Sequence, residues 1–369
     1  MKLQKLIYIG RHGYRAPIII PKAYKKDWPG EGKLTLKGAS SQYAKGISIR
    51  RSHLPFFQSI TDFVDCITVN TSNLCRTKAS AYWFLKGIRG LNFTPPKETD
   101  INHMMDELKN FGAKFRPLSK DVVFRSYCGT VSPSVKQIYK DNFKKLCEAR
   151  KHEDVINEVL KKVGNLWEID QSKPIDYFSA FYLFDFLSCY HDHDMELPQG
   201  FTLDMLKSLK VIQYYSLYDM TLALNTVRRL NNHYLFKHLI ENLKSNKAPA
   251  FYYYSSHDSN VLSTLLALGY KTNEVPGYNE GLLIKVNDQQ NVELEYKNRN
   301  INENIWNKKT VLVSELIELL EKERFKDDKE YSQYSGNIDF DYSRDYLNLK
   351  EDHDNTTERN LITLFTKAI

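Results

Sequence analysis

Three times along this chain a short apolar run breaks at a polar loop and gives way to a helical pattern. Leu6-Ile7-Tyr8-Ile9 stops at Gly10 and enters the loop Arg11 to Pro17. Ile67-Thr68-Val69-Asn70 leads to Thr71-Ser72-Asn73, a capping sequence ahead of a helix that starts near Leu74 and passes through Ala79, Tyr82 and Leu85. Phe251 to Tyr254 ends at Ser255-Ser256-His257-Asp258, after which Val261, Leu262, Leu265, Leu266 and Leu268 recur at helical spacing as far as Gly269. Unbroken apolar runs suit strands covered on both faces, and strand–loop–helix repetition is the signature of an α/β domain with a mostly parallel central sheet flanked by helices. Leu282 to Val286 and Val292 to Tyr296 read as two more strands around a turn at Asp288-Gln289. Ligands of such folds gather beyond the carboxyl ends of the strands. The three loops are therefore where chemistry is expected.

Between the second and third strands the pattern changes. Residues 143–163 and 203–243 are long, amphipathic and mostly helical; Lys144 to Val163 sets Leu146, Val155, Val159 and Val163 on one side among Lys and Glu. The expected division is an α/β domain over 1–100 plus 245–325, an inserted helical lobe over 101–244, and a polar tail over 326–369. Val311 to Phe325 reads as a further amphipathic helix. The tail is expected to pack loosely, with a last short helix near Arg359 to Lys367.

Charge narrows the partners only a little. The net charge of +7 suits an anionic ligand. The basic residues are nevertheless scattered, with Arg50-Arg51 the densest cluster, so no nucleic-acid stripe is present. Five cysteines (66, 75, 128, 147, 189) form no close pair and suggest reduced thiols. No stretch has the apolar length that spans a membrane. Met1 to Ile9 is too short for a signal peptide, which makes the cytoplasm the default expectation. Sequons at Asn70, Asn92 and Asn355 carry weight only in a secreted chain.

The first loop carries the densest chemistry. Transfer of a phosphoryl group needs a cationic cradle, an in-line nucleophile and an acid for the leaving oxygen. Arg11 and Arg15 offer planar guanidinium forks, and His12 between them can attack through one ring nitrogen if the other is fixed by a hydrogen bond. Gly13 permits close backbone approach, and Pro17 stiffens the exit. His191-Asp192-His193-Asp194 could alternate on one face as metal ligands, but a solvated loop before Pro198 is the reading preferred here. A His-Asp pair at a helix start, such as His257-Asp258, is by itself often only a cap.

Arg11-His12-Gly13-Tyr14-Arg15-Ala16-Pro17 resembles the Arg-His-Gly-x-Arg-x-Pro signature of the histidine acid phosphatases, the branch of the histidine phosphatase superfamily that includes acid phosphatases and phytases. Gly32-Lys33-Leu34-Thr35-Leu36-Lys37-Gly38 is similar to that family's Gly-x-Leu-Thr-x-x-Gly segment. Thr71 to Thr77 resembles the stretch bearing a third phosphate-binding arginine, here Arg76, and Ser256-His257-Asp258 resembles the late His-Asp motif. Leu217-Tyr218 and the helix Leu235 to Leu243 also look like the stretch before that motif, so the likeness covers about residues 5–325. It implies the phosphoglycerate-mutase-like fold of the histidine phosphatases and a phosphate monoester as partner, without metal or cofactor because the arginines supply the charge; a homodimer stays an open option. By the same resemblance His12 is the nucleophile, Arg11, Arg15, Arg76 and His257 bind phosphoryl oxygens, and Asp258 gives a proton to the leaving alcohol. A carboxyl facing a phosphate dianion holds its proton more readily than one in water, which suits that last role.

The chain departs from the family in two places. Ser259-Asn260 follows His257-Asp258 where Thr-Thr or Thr-Asn is common, and Ile18-Ile19-Ile20 stands where bacterial phytases carry a polar pair. The second departure argues against phytase activity. Two alternatives are a phosphate-binding pseudo-enzyme and the phosphoglycerate-mutase-like branch. The intact set of six residues speaks against the first, and Arg15-x-Pro17 with the late His-Asp against the second.

Overall fold

The computed structural model describes residues 1–94, 101–110, 113–114, 123–124, 177–214 and 224–335. Its centre is a seven-stranded sheet: β1 (Leu3–Arg11), β2 (Ile67–Thr71), β3 (Ala250–Ser256), β4 (Gly281–Asn287), β5 (Asn291–Tyr296), β6 (Arg299–Asn300) and β7 (Val311–Leu312). The order is β2-β3-β1-β4-β5-β6, with β7 paired to β5. β1 and β2 both lie parallel to β3, whereas β4 runs antiparallel to β1, and β5, β6 and β7 continue antiparallel. The sheet is thus mixed rather than mostly parallel. The reason is local: β4 and β5 are joined by the short turn at Asp288-Gln289, and only an antiparallel pair can be closed so tightly.

The central strands are buried on both faces, and their alternation splits the core in two. Leu6 and Tyr8 of β1, Val69 of β2, and Phe251 and Tyr253 of β3 face one cluster with Trp83, Phe84 and Leu85. Those three belong to the helix Cys75–Arg89, which packs beside Leu36–Ser52. Ile7, Ile9, Tyr252 and Tyr254 face the other cluster, with Leu235, Phe236 and Leu239 of the helix Asn225–Lys244, Leu265 of Asp258–Ala267 and Leu316 of Val313–Lys322. Burying one such large side chain contributes roughly 1.5–3 kcal/mol. The continuous apolar runs of β1 and β3 follow from serving two cores at once. Lys5 adds a polar tie: its ammonium donates to the carbonyls of Asn242, Leu243 and Ser245 at the carboxyl end of the Asn225–Lys244 helix, where a cation is favoured.

A third, smaller cluster lies over the loop after β1. It joins Ala16, Ile20 and Trp28 to Leu183, Phe184, Phe186 and Leu187 of the helix Tyr177–Asp192 and to Leu206 and Leu209 of Leu203–Tyr214. Of the segment read as a helical lobe, Asn225–Lys244 packs on the sheet, and Met104 and Leu108 of Ile101–Asn110 pack with the Trp83 cluster. The segment 143–163 and Leu217-Tyr218 lie outside the described residues. The chain after Phe325, read as a loose tail, begins with the helix Asp328–Ser335, whose Tyr331 is buried against His233, Tyr234 and Phe325. The helix expected near Arg359 to Lys367 also lies outside the described residues. Among the described residues no helix is long and apolar enough to cross a membrane.

Candidate active site

Register brings the ends of the three parallel strands level. Gly10 and Arg11 pair with Ser255 and Ser256, and Thr71 pairs with Ser255. The three loops after these strands therefore open on one rim. Arg11 is the last residue of β1 with His12 directly after it, and Arg76 is the second residue of the Cys75–Arg89 helix. His257 caps the helix that Asp258 begins.

The first loop is held from several sides. The His12 amide donates to Ser256 O (3.0 Å), the Gly13 amide to Ser80 Oγ (3.0 Å), and Gln42 Nε2 to Arg11 O (2.9 Å). Ala16 N donates to Lys33 O and Thr35 N to Tyr14 O, so the Gly32–Gly38 segment zips along the loop. Thr35 then caps the Leu36–Ser52 helix by accepting from Gly38 N. That explains the Leu-Thr-x-x-Gly pattern: one residue caps, and the glycine three later lies against the Tyr14 carbonyl.

His12 is 2% exposed. Its Nδ1 donates to Gly13 O at 2.9 Å, which puts the lone pair of the neutral ring on Nε2. Burial, then the positive charges of Arg76, Arg11 and Arg15 and the neighbouring His257, hold the imidazole well below the ordinary histidine range. It is therefore neutral in mild acid, as a nucleophile must be. The His12 and His257 rings meet edge to face at 5.6 Å. His257 Nε2 lies 2.9 Å from Ser72 Oγ, which is also 2.8 Å from Thr77 Oγ1.

Asp258, the most open of the six with a side chain 23% exposed, places Oδ2 2.9 Å from Arg11 Nη2. Its Oδ1 accepts the Ser259 amide at 2.8 Å. Arg11 Nη1 donates to Pro276 O (2.6 Å), and the guanidinium lies 4.3 Å from the centre of the Tyr278 ring. Arg15 pairs with Asp185 through both terminal nitrogens, at 3.1 and 2.6 Å. The structure brings all six predicted residues to one rim, around a buried histidine ringed by cations. Such a site favours a dianion and can stabilise charge that develops during transfer.

Two neighbours carry no motif. Tyr278 sits between Arg11 and Tyr14, its ring 4.8 Å from that of Tyr14 and 5.8 Å from that of His12. Burial holds its phenol protonated far above its usual range. Asp185 comes from a helix more than 150 residues away in sequence. One signal could have found it: a lone carboxylate in Leu183-Phe184-Asp185-Phe186-Leu187 is costly unless it has a partner.

The remaining candidates are dispersed. His191 and Asp192 end the Tyr177–Asp192 helix, His193 is bonded to Thr35 Oγ1 and Cys189 O, and Asp194 pairs with Lys37. Among the described residues no grouping of His, Cys, Asp and Glu could hold a metal ion. Cys66, Cys75 and Cys189 are free thiols, and Cys128 and Cys147 lie outside the described residues. Asn70 is buried in β2, and Asn355 lies outside the described residues.

The family model of the histidine phosphatase superfamily (branch 2) matches residues 2–296. A curated relative from Caenorhabditis elegans, provisionally named acid phosphatase 5, is 23% identical over 296 residues, a match that takes in 77% of this chain and 65% of the relative. The chain thus spans a little under two thirds of that relative's length. Among solved structures, the phytase from Citrobacter braakii superposes with a TM-score of 0.62 at 13% identity, over 88% of this chain and 99% of that one. The Hafnia alvei phytase in complex with myo-inositol hexakis sulphate gives 0.62 at 13%, over 88% and 97%. The Bifidobacterium longum multiple inositol polyphosphate phosphatase in complex with phosphate gives 0.54 at 11%, over 89% and 94%. At these identities the structural likeness is one of fold.

Proposed function

The chain belongs to branch 2 of the histidine phosphatase superfamily, and from that premise we propose that it hydrolyses phosphate monoesters as an acid phosphatase, through a phosphohistidine formed on His12. Arg11, Arg15, Arg76 and His257 hold the non-bridging oxygens. His12 Nε2 attacks phosphorus in line, the P–O bond to the leaving group breaks, and Asp258 gives its proton to the departing oxygen. Water then attacks phosphorus, Asp258 takes up the water's proton, and the P–N bond breaks to return the imidazole and release inorganic phosphate. The observation that carries this reading is the Nδ1–H bond from His12 to Gly13 O in a setting that keeps the ring neutral.

Hydrolysis of an aryl phosphate between pH 4 and 7, wild type against His12→Ala, tests it. A loss of at least ~10⁴-fold is expected for a missing nucleophile; wild-type activity no greater than the mutant's would remove the reading. Asp258→Asn should slow poor leaving groups far more than good ones, and equal slowing across a leaving-group series would take Asp258 out of the acid role.

Two of the three solved structures named above are phytases, one of them holding a hexasulphated inositol. In this chain the segment beyond Pro17 is Ile18-Ile19-Ile20, with Ile20 buried against Trp28 and its neighbours. An apolar loop exit supports a leaving group of low charge over a polyphosphorylated inositol. A panel of phosphate esters at acidic pH checks this, and preference for inositol hexakisphosphate would reverse it.

A further inference from the structure

We propose that Asp185 is a positioning residue, which turns the Nε–Nη2 edge of Arg15 toward the phosphoryl group and so makes the helix Tyr177–Asp192 part of the reaction machinery. This rests on the phosphatase reading above. A guanidinium has five N–H bonds. In Arg15, Nη1 donates to Ala16 O at 3.0 Å and to Asp185 Oδ2 at 3.1 Å, and Nη2 donates to Asp185 Oδ1 at 2.6 Å. Nε is buried and has no acceptor among the described residues. Two donors are left over, the Nε–H and the second Nη2–H. They lie side by side, and such a parallel pair matches two oxygens of one phosphoryl group.

The carboxylate also fastens the loop itself. Asp185 Oδ2 accepts the Ile18 amide at 2.8 Å, so one side chain fixes both the arginine and the backbone at the exit of the His12 loop. Arg15 and Asp185 are 4% and 7% exposed. Burial opposes the charge on Arg15, but the carboxylate of Asp185 beside it outweighs burial and keeps the guanidinium ionised. A buried ion pair is a poor route to stability, since apolar side chains of similar volume often do as well or better. Leu183, Phe184, Phe186 and Leu187 around it are buried in an apolar cluster, so an apolar side chain would be tolerated in this setting. What an apolar residue could not do is orient Arg15.

A double-mutant cycle tests this, comparing wild type, Asp185→Ala, Arg15→Ala and the double variant. The readouts are kcat/KM for an aryl phosphate and the dissociation constant of inorganic phosphate by calorimetry. In the wild-type background Asp185→Ala should lower kcat/KM by ~100-fold and weaken phosphate by ~10-fold, the scale of losing one aligned charged donor pair. In the Arg15→Ala background it should change either quantity by less than ~3-fold. Equal losses in both backgrounds, or unchanged phosphate affinity in folded Asp185→Ala, would overturn the proposal. If the alanine variant does not fold, Asp185→Asn keeps the volume and replaces it in the cycle. A wild type that binds phosphate without turnover would sink the phosphatase reading while the phosphate arm still decided the role of Asp185; a wild type that binds no phosphate would sink both.

Discussion

Gly13 and Gly38 face each other where the His12 loop crosses the start of the Leu36–Ser52 helix. A β-carbon on Gly13 would come within 2.6 Å of Gly38 O, and one on Gly38 would overlap the Tyr14 carbonyl. The obstruction is backbone in both cases and cannot swing aside. Gly38→Ala is therefore expected to destabilise the fold by ~1–3 kcal/mol and to lower kcat by displacing His12; urea midpoints and initial rates check the two effects separately. At this scale the convergence of the six nominated residues on one rim was legible because each sits in a short motif after an apolar run. The places of Asp185 and Tyr278 were not, since they arise from contacts across 170 residues (Arg15 to Asp185) and 267 residues (Arg11 to Tyr278). No local pattern encodes a contact of that kind. The solitary charge amid Leu183, Phe184, Phe186 and Leu187 is the nearest thing to a signal.

Strands and helices were more readable than their partners. The runs ending at Ile9, Asn70 and Tyr254 all became strands of the parallel part of the sheet, and the turn at Asp288-Gln289 did separate β4 from β5. Sheet direction was harder to foresee, because strand–loop–helix repeats describe only the β2-β3-β1 part of the sheet. Helix placement was harder again: Asn225–Lys244 carries apolar residues on several sides because it meets both the sheet and the C-terminal helices, and so it has no single polar face to read. The Asp328–Ser335 helix was missed because its sequence is mostly polar and only Tyr331 and Tyr334 do the docking. Tyr331 packs at 4.8 Å parallel to the His233 ring, while Asp328 accepts from His233 and Lys237. Tyr331→Ala should cost ~3 kcal/mol through the cavity it leaves. Activity per folded molecule should stay unchanged, which thermal melts combined with active-site titration can show.

Across the whole molecule, acid acts on the fold through buried histidines. Burial lowers His12, His53, His193 and His233 below the ordinary value of 6.5, His233 to about 4. The unfolded chain takes up these protons near pH 6.5 and the folded chain only at lower pH. Stability from these groups is therefore complete above pH 6.5 and declines as pH falls toward 4. For His233 the loss reaches on the order of 3 kcal/mol. Melting temperature should decline steadily between pH 6.5 and 4, and His233→Phe should flatten that slope; a slope unchanged by the substitution would exclude His233 as its source. An enzyme of the proposed type would then work where its fold is past its most stable pH.

The place of β1 in the sheet bears on how the protein is made. β1 is synthesised well before β3 and β4, yet it lies between them, and Leu6 pairs with Phe251 and Lys285. At ~5–20 residues per second, some ten to fifty seconds pass before either neighbour is synthesised. Throughout that interval a strand built of Leu, Ile and Tyr has both edges bare. The nascent chain should be a client for chaperones that shield extended apolar segments, and fast translation of the stretch between β1 and β4 should raise the yield of folded protein.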